Sequence, residues 1–219
     1  MKKAILISIK PEWVEKILNG VKPIEIRKSM PKCELPIDVY IYVTKSKPYL
    51  QIYPFNIRKN IYRLSEDNFN SLNGKVVAKF TLNKVWNFKV DKLYEIEELG
   101  YNPYGIEICS IENVIKPLIE GSCLNLKEMY EYAPYKNLYA WHIENLQIFD
   151  KPMELIQFEK YCDEPDDLKP CCNGKHCIHE SYDWCENQSC CDIDYDGADC
   201  PYLKVNKPPR SWQYIYIGD

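Results

Sequence analysis

The segment Ile5–Arg27 predicts a strand, a short helix and a second strand in direct succession. Ile5–Ile9 is a short apolar run, and Pro11 suits the first turn of a helix, where no backbone N–H is needed. Apolar residues follow at helical spacing through Trp13–Leu18, and Gly20 fits the left-handed position just beyond a helix end. A strand–helix–strand unit is therefore expected at the start of the fold.

The second strand of this unit alternates apolar and charged residues. Ile24 and Ile26 are expected to enter a core, whereas Glu25 and Arg27 share the opposite face. Lys22 lies at the bend before the strand. Ionisable groups this close together form a candidate site, although the charged pair on the strand can also be explained as a simple structural ion pair.

The later segments predict further strands and a few short helices. The predicted strands are Asp38–Thr44, Lys75–Trp86, Leu138–Phe149 and Ser211–Ile217. Residues 45–73 look like a long polar excursion with a weak helical patch at Ser65–Leu72. Ser110 is expected to cap one helix, and Asn125 with Glu128 three residues later resembles a capping box for another.

Five or six strands with one early helix and a strand at the end predict an α+β fold, a small mixed β-barrel with peripheral helices. Residues 162–200 differ from the rest, since they lack apolar periodicity and hold eight of the eleven cysteines. We therefore expect residues 1–161 plus 201–219 to form the barrel and residues 162–200 to form an acidic, cysteine-rich insert that is fastened to it.

Charge is distributed unevenly along the chain, whose formal net charge is −4. Residues 1–63 carry thirteen Lys and Arg against five Asp and Glu, whereas residues 162–200 carry two against eleven. A basic N-terminal half is compatible with a phosphate-bearing ligand on that side. No segment approaches a membrane span, and the first residues read as a strand instead of a signal peptide, so a cytoplasmic protein is expected.

The insert contains two similarly spaced cysteine pairs. Cys172 and Cys177 form one pair and Cys185 and Cys190 form the other. Because cytoplasmic thiols stay reduced and a short polar segment needs a crosslink, these residues predict a structural zinc site. Disulfides formed on purification, or a loop of free thiols, are the alternatives.

The N-terminal run SIKPEWVEKILNGVKPIEIR resembles the opening signature of the ASCH domain, a member of the PUA-like superfamily. The resemblance rests on a G-x-K-x-x-E-x-R core at Gly20, Lys22, Glu25 and Arg27. Later strand segments fall in the order seen in prophage-associated members, and the likeness omits the cysteine insert. It implies a PUA-like mixed β-barrel that binds RNA, a nucleotide or a modified base beside the early helix.

The resemblance also implies a set of ligand-binding residues. They are Ser8, Lys10, Lys22, Glu25 and Arg27, with Thr44 at the end of the buried strand. Lysine and arginine can hold phosphate, and a fixed carboxylate can accept hydrogen bonds from a base amino group. Trp13 and Trp141 could offer stacking faces, but both fit core positions better.

Two catalytic precedents in the family suggest an alternative function as a hydrolase. Amidohydrolases that act on N4-acetylcytidine use a threonine three residues after the lysine, where this chain has Glu25, which could activate water as a general base. In ribonuclease-like members a lysine and a hydroxyl group assist cleavage, and Lys22 with Thr44 or Ser8 could do so here. A third possibility is a protein-interaction module that acts through the acidic insert.

Overall fold

The computed structural model describes residues 2–56, 59–95, 97–100, 111–161 and 202–218. Along these residues the chain forms thirteen strands, more than the five or six that were predicted, together with three α-helices and two 3-10 helices. The strands are β1 (Lys2–Ile9), β2 (Ile24–Arg27), β3 (Ile37–Val43), β4 (Tyr49–Asn56), β5 (Lys59–Ser65), β6 (Val76–Leu82), β7 (Lys84–Phe88), β8 (Glu97–Gly100), β9 (Leu138–His142), β10 (Glu144–Met153), β11 (Glu159–Tyr161), β12 (Tyr202–Lys204) and β13 (Trp212–Ile217). The helices are α1 (Pro11–Leu18), α2 (Ile111–Ser122) and α3 (Leu126–Tyr132), with 3-10 turns at Val90–Glu95 and Leu155–Gln157.

The strands are arranged in three sheets. The large sheet has the order β10-β6-β3-β1-β13-β11-β12, and the small sheet has the order β2-β9-β7-β8. Among the described strands, β4 pairs only with β5. In the large sheet β1 runs parallel to β3 and antiparallel to β13, so the sheet is mixed. The predicted α+β class is confirmed. The closed barrel is not, because none of these sheets closes on itself within the described residues.

The N-terminal strand–helix–strand prediction is confirmed by β1, α1 and β2. Pro11 is the first residue of α1, and the chain leaves the helix through Gly20, whose φ of +76° is one that L side chains rarely adopt. β1 lies at the centre of the large sheet and is buried from Ala4 to Ile9. β2 instead joins the small sheet, so α1 carries the chain from one sheet to the other.

The buried apolar side chains form three cores. The first core lies between the two sheets and under α1, and includes Ile7, Val14, Val39, Leu50, Phe80 and Trp141. The second covers the other face of the large sheet and includes Leu6, Tyr42 and Phe158. The third fills the space between the small sheet and helices α2 and α3, and includes Ile24, Ile26, Leu118 and Met129. β2 therefore has one apolar face toward the helices and its charged face toward the large sheet.

Two long predicted strands are each divided between the two sheets. The first breaks at Asn83, yet Leu82 before the break and Val85 after it enter the same core. The second breaks at Ile143, where β9 ends in the small sheet and β10 continues in the large one. At the first break the apolar pattern continues because both halves face one core. At the second it continues although Leu138 and Ala140 pack in the third core and Leu146 packs against the first, so periodicity alone predicted a single strand in each case.

The helical patch predicted at Ser65–Leu72 is wrong. β4 and β5 form an antiparallel pair, which we call the β4–β5 hairpin, and the residues after β5 make bends and turns. Leu50 and Tyr62, on facing strands, are buried against the first core beside α1. The side chain of Asn19, just after α1, accepts from the Tyr62 N–H at 3.1 Å and donates to the Tyr62 carbonyl at 2.8 Å. These contacts stabilise strands β4 and β5, and they outweigh the weak helical pattern of the sequence.

The predicted capping box at the start of α3 is confirmed. Asn125 Oδ1 accepts from the Glu128 N–H at 2.9 Å, and Glu128 Oε2 accepts from the Asn125 N–H at 2.8 Å. Ser110 lies outside the described residues. Of the helices that are described, none combines the length and the apolar character needed to cross a membrane.

The two ends of the predicted insert lie side by side, although residues 162–200 themselves are outside the described residues. β11 and β12 form an antiparallel pair in which Tyr161 is directly opposite Tyr202. A segment that leaves and rejoins a sheet at paired positions can be shortened with little loop-closure penalty.

We therefore expect a chain in which a short Gly/Ser linker replaces residues 162–200, joining Tyr161 to Pro201, to fold with a modestly lower free energy of unfolding. Circular dichroism and thermal unfolding of this chain beside the full-length protein provide the measurement. A wholly unfolded product would show that the insert belongs to the core.

Candidate functional site

The charged face of β2 points into the protein, toward the large sheet. Its apolar residues Ile24 and Ile26 pack in the third core, as the alternation predicted, so Glu25 and Arg27 lie on the other side. Lys22, just before the strand, is 2% exposed, while Glu25 is 6% and Arg27 is 7% exposed. The sequence predicted that these groups share a face, and the structure places them in the interior.

Lys22 uses its ammonium group to join three parts of the chain. Its Nζ donates to the carbonyl of Ile24 at 2.8 Å and to the carbonyl of Ser122, at the end of α2, at 2.6 Å. It also lies 3.4 Å from Glu25 Oε2 and 5.3 Å from the centre of the Trp13 ring. Burial lowers the pKa of Lys22, and the carboxylate of Glu25 opposes that shift.

Glu25 lies between the two cations. Its Oε2 faces Lys22, and its Oε1 is 3.1 Å from Arg27 Nε. Arg27 also donates from Nη2 to the carbonyl of Ser8 on β1 at 2.6 Å. The contact between Glu25 and Arg27 Nε is an ion pair without hydrogen-bond alignment, so Nε is a buried donor that has no hydrogen-bond partner among the described residues. We call Lys22, Glu25 and Arg27 the buried cluster.

The buried cluster contains one carboxylate and two basic groups. When Lys22 is protonated, the cluster therefore carries an excess of one positive charge in a water-poor environment. A buried charge without a counterion is costly, because neither water nor a nearby anion stabilises it. Chemically, the cluster is suited to an anion that reaches Arg27.

Trp141 lies beside the buried cluster and packs against Trp212. Trp141 on β9 is directly opposite Glu25 in the strand ladder and is fully buried, as its predicted core role requires. Its ring centre is 6.1 Å from that of Trp212, whose indole N–H donates to Ser29 Oγ at 3.0 Å. Trp141 Nε1 is a second buried donor that has no partner among the described residues.

Ser8 reaches the buried cluster through its backbone. Its carbonyl accepts the bond from Arg27, whereas its neighbours Ile7 and Ile9 pack in the first core. The Ser8 side chain therefore lies on the opposite face of β1, with Leu6, and its Oγ is buried without a hydrogen-bond partner among the described residues.

Two other predicted site residues make their contacts elsewhere. Lys10 is exposed, and its Nζ is 3.8 Å from Glu12 Oε1. The hydroxyl of Thr44 shares a hydrogen bond of 2.8 Å with the hydroxyl of Ser46. The structure brings Ser8 to the buried cluster and does not bring the side chains of these two residues into contact with it.

Residues far along the chain complete the site. Ser122 supplies a carbonyl to Lys22 across a separation of 100 residues. Tyr132 at the end of α3 contacts Arg27, and its ring lies 4.2 Å from Lys28 Nζ. Burial raises the pKa of the Tyr132 phenol, and Arg27 opposes that shift. The sequence contains no local signal for these contacts, except that the capping box fixes where α3 begins.

The predicted zinc ligands Cys172, Cys177, Cys185 and Cys190 lie outside the described residues. Within the described part of the chain, no group of three or more His, Cys, Asp or Glu side chains is close enough to hold a metal ion. Cys33 and Cys123 are free thiols there.

The chain matches no protein-family model and no curated protein. Solved structures similar to it include the crystal structure of ASCH from Zymomonas mobilis, with 16% identity, a TM-score of 0.42, and coverage of 69% of this chain and 73% of that one. A tyrosine-to-phenylalanine mutant of the same protein gives 17% identity, a TM-score of 0.41, and coverage of 70% and 77%. A serine-to-alanine mutant gives 16%, 0.42, and coverage of 69% and 74%. ASCH is also the family that the N-terminal motif resembles.

Removing the carboxylate of the buried cluster should strongly destabilise the protein. Glu25→Ala leaves Lys22 and Arg27 close together without their shared counterion, so we expect a loss of about 3–5 kcal/mol in the free energy of unfolding. Glu131→Ala is the matched control, because it removes a carboxylate from an exposed pair with Lys127. Urea denaturation gives the comparison, and equal losses in the two variants would contradict the expectation.

The lowered pKa of Lys22 predicts a pH-dependent stability. Between that pKa and the ordinary value of 10.5, the unfolded chain binds more protons at Lys22 than the folded chain does. The contribution of Lys22 to the free energy of unfolding should therefore increase with pH through this window. The difference between the parent and Lys22→Met, measured by urea denaturation at a series of pH values, isolates this contribution. A difference that stays flat or decreases with pH would refute the assignment.

Proposed function

We propose that the buried cluster binds a phosphate-bearing ligand, either a nucleotide or single-stranded RNA. The observation that supports this most directly is the excess positive charge of Lys22 and Arg27 over Glu25 in a site where each residue is at most 7% exposed. An anion would neutralise that charge, and arginine is well suited to phosphate because its planar donors match the phosphate oxygens.

Two buried N–H groups at the cluster favour the same phosphate-bearing ligand. Arg27 Nε and Trp141 Nε1 are both buried without hydrogen-bond partners among the described residues. Trp141 Nε1 is fully unpaired within the described part of the chain, which costs about 1–3 kcal/mol for a buried donor, whereas Arg27 Nε is 3.1 Å from Glu25 Oε1 without hydrogen-bond alignment. A ligand oxygen could accept from either group. Lys28 and the partly exposed Tyr132 lie beside Arg27 and would form the rim through which the ligand enters.

A hydrolase that uses the same cluster is the second candidate. The lowered pKa of Lys22 favours it, because a lysine that loses its proton more easily can take part in proton transfer. In this version Glu25 activates a water molecule. Thr44 remains a proposed contributor that would have to exchange its bond with Ser46 for one with the substrate.

We propose a PUA-like fold in a cytoplasmic protein, with a structural zinc ion held by cysteines of the insert. A protein partner that docks on the acidic segment 162–200 remains a further hypothesis. The charge of that segment supports it, since eleven Asp and Glu face only two Lys and Arg there.

Arg27→Lys is the sharpest test of binding, because it keeps the charge but loses the planar donor group. We expect it to weaken binding of a labelled nucleotide or single-stranded RNA by about 1–3 kcal/mol, measured by fluorescence anisotropy. Lys22→Met should weaken binding by a similar amount through the loss of charge. Lys116→Ala is the control, since this lysine is 77% exposed on α2 and its partner Glu120 is also exposed.

Glu25→Gln separates the binder from the hydrolase. The amide keeps the shape of the carboxylate and an oxygen that can accept a hydrogen bond, so binding should largely survive while a base-catalysed hydrolysis collapses. Circular dichroism first establishes that each variant is folded. Binding and turnover that are indifferent to all three changes would remove the function from the buried cluster.

A further inference from the structure

The outer face of the β4–β5 hairpin carries an ordered group of aromatic and polar side chains. Gln51 and Arg63 are directly opposite each other in the ladder, and Tyr53 follows Gln51 on the same face. The Tyr53 hydroxyl donates to Gln51 Oε1 at 2.8 Å, and the Arg63 guanidinium lies 5.8 Å from the centre of the Tyr53 ring. Tyr53 is 41% exposed.

The loop after the hairpin adds a second exposed ring to this face. Gln51 Nε2 donates to the carbonyl of Asp67 at 2.7 Å and to that of Phe69 at 2.9 Å. The Phe69 N–H in turn donates to Asp67 Oδ1 at 3.0 Å. Phe69 is nevertheless 73% exposed. A single exposed ring is ordinary, but Phe69 and Tyr53 are both held through Gln51, and adjoining exposed aromatic groups are typical of a contact surface.

We call Gln51, Tyr53, Arg63 and Phe69 the hairpin platform. It belongs to a basic part of the chain, since residues 45–75 hold six Lys and Arg against two Asp and Glu, although the whole chain has a net charge of −4. Lys45 and Lys47, before the hairpin, are both exposed. Exposed rings interleaved with cations fit the bases and phosphates of an unpaired strand.

We infer that the hairpin platform binds a single-stranded polynucleotide by stacking bases on Tyr53 and Phe69, with Arg63 close to the backbone phosphates. This inference rests on the proposed function and specifies its ligand as a strand of several nucleotides. The hairpin is attached to α1 through the bonds between Asn19 and Tyr62, and Lys22 follows Asn19 by three residues. The bonds of Asn19 therefore fix the position of β5 relative to the loop that carries Lys22.

The test compares a labelled single-stranded RNA of roughly ten nucleotides with a labelled mononucleotide by fluorescence anisotropy. Tyr53→Ala and Phe69→Ala should each weaken RNA binding by about 5- to 150-fold and leave mononucleotide binding unchanged. Arg63→Ala should reduce the slope of log affinity against log salt by about 0.7. Matched controls are Ile156→Ala, at an exposed apolar residue, and Lys127→Ala, at an exposed lysine.

The outcomes distinguish this inference from the proposed function. If Tyr53→Ala and Phe69→Ala bind RNA as the parent does, while Arg27→Lys still weakens mononucleotide binding, the platform is refuted and the buried cluster retains its role. If Arg27→Lys has no effect while the platform variants lose RNA binding, the platform is supported and the buried cluster is refuted. Equal affinity for duplex RNA, or for polyglutamate, would overturn the assigned ligand, because neither offers unpaired bases.

Discussion

The buried carboxylate of Glu25 joins parts of the fold that are far apart in the sequence. On one side it meets Lys22, whose ammonium also binds the carbonyl of Ser122 at the end of α2. On the other side it meets Arg27, whose guanidinium donates to the carbonyl of Ser8 on β1. The small sheet is thereby tied to the large sheet and to a helix by charge-assisted contacts. Because all three charged side chains are buried, losing the carboxylate would leave unpaired charges and not merely one missing bond.

The same geometry assigns different roles to the two cations. All three N–H bonds of the Lys22 ammonium have an acceptor nearby, namely two backbone carbonyls and Glu25, so Lys22 contributes positive charge without a free donor. Arg27 keeps an unpaired donor and lies beside the partly exposed Tyr132. Direct contact with a ligand is therefore better suited to Arg27, whereas Lys22 fixes the loop before β2 and sets the local potential. The buried cluster can therefore stabilise the fold through Lys22 and contact a ligand through Arg27.

Local signals in the sequence predicted the start of the fold and the core of the site. Pro11 and Gly20 bound a helix, and alternation along β2 placed Glu25 and Arg27 on one face. The sequence did not show that this face is buried, because that depends on β2 facing the large sheet. It also missed the break at Asn83, where the chain changes sheets while its apolar residues still face one core. Such features arise from packing between distant elements, which local periodicity does not encode.

Helix α1 connects the hairpin platform with the buried cluster. The carbonyl of Lys16 accepts from the N–H groups of Val21 and Lys22, at 2.8 and 3.2 Å, and so fixes the loop that carries the buried lysine. Asn19, within the same loop, holds the hairpin at Tyr62. Both attachments lie at the C-terminal end of α1, a helix that is packed in the first core by Val14, Ile17 and Leu18. The end of α1 therefore orders both the loop that carries Lys22 and the strand that carries Tyr62, and order that exists before binding lowers the entropy cost of binding at either surface.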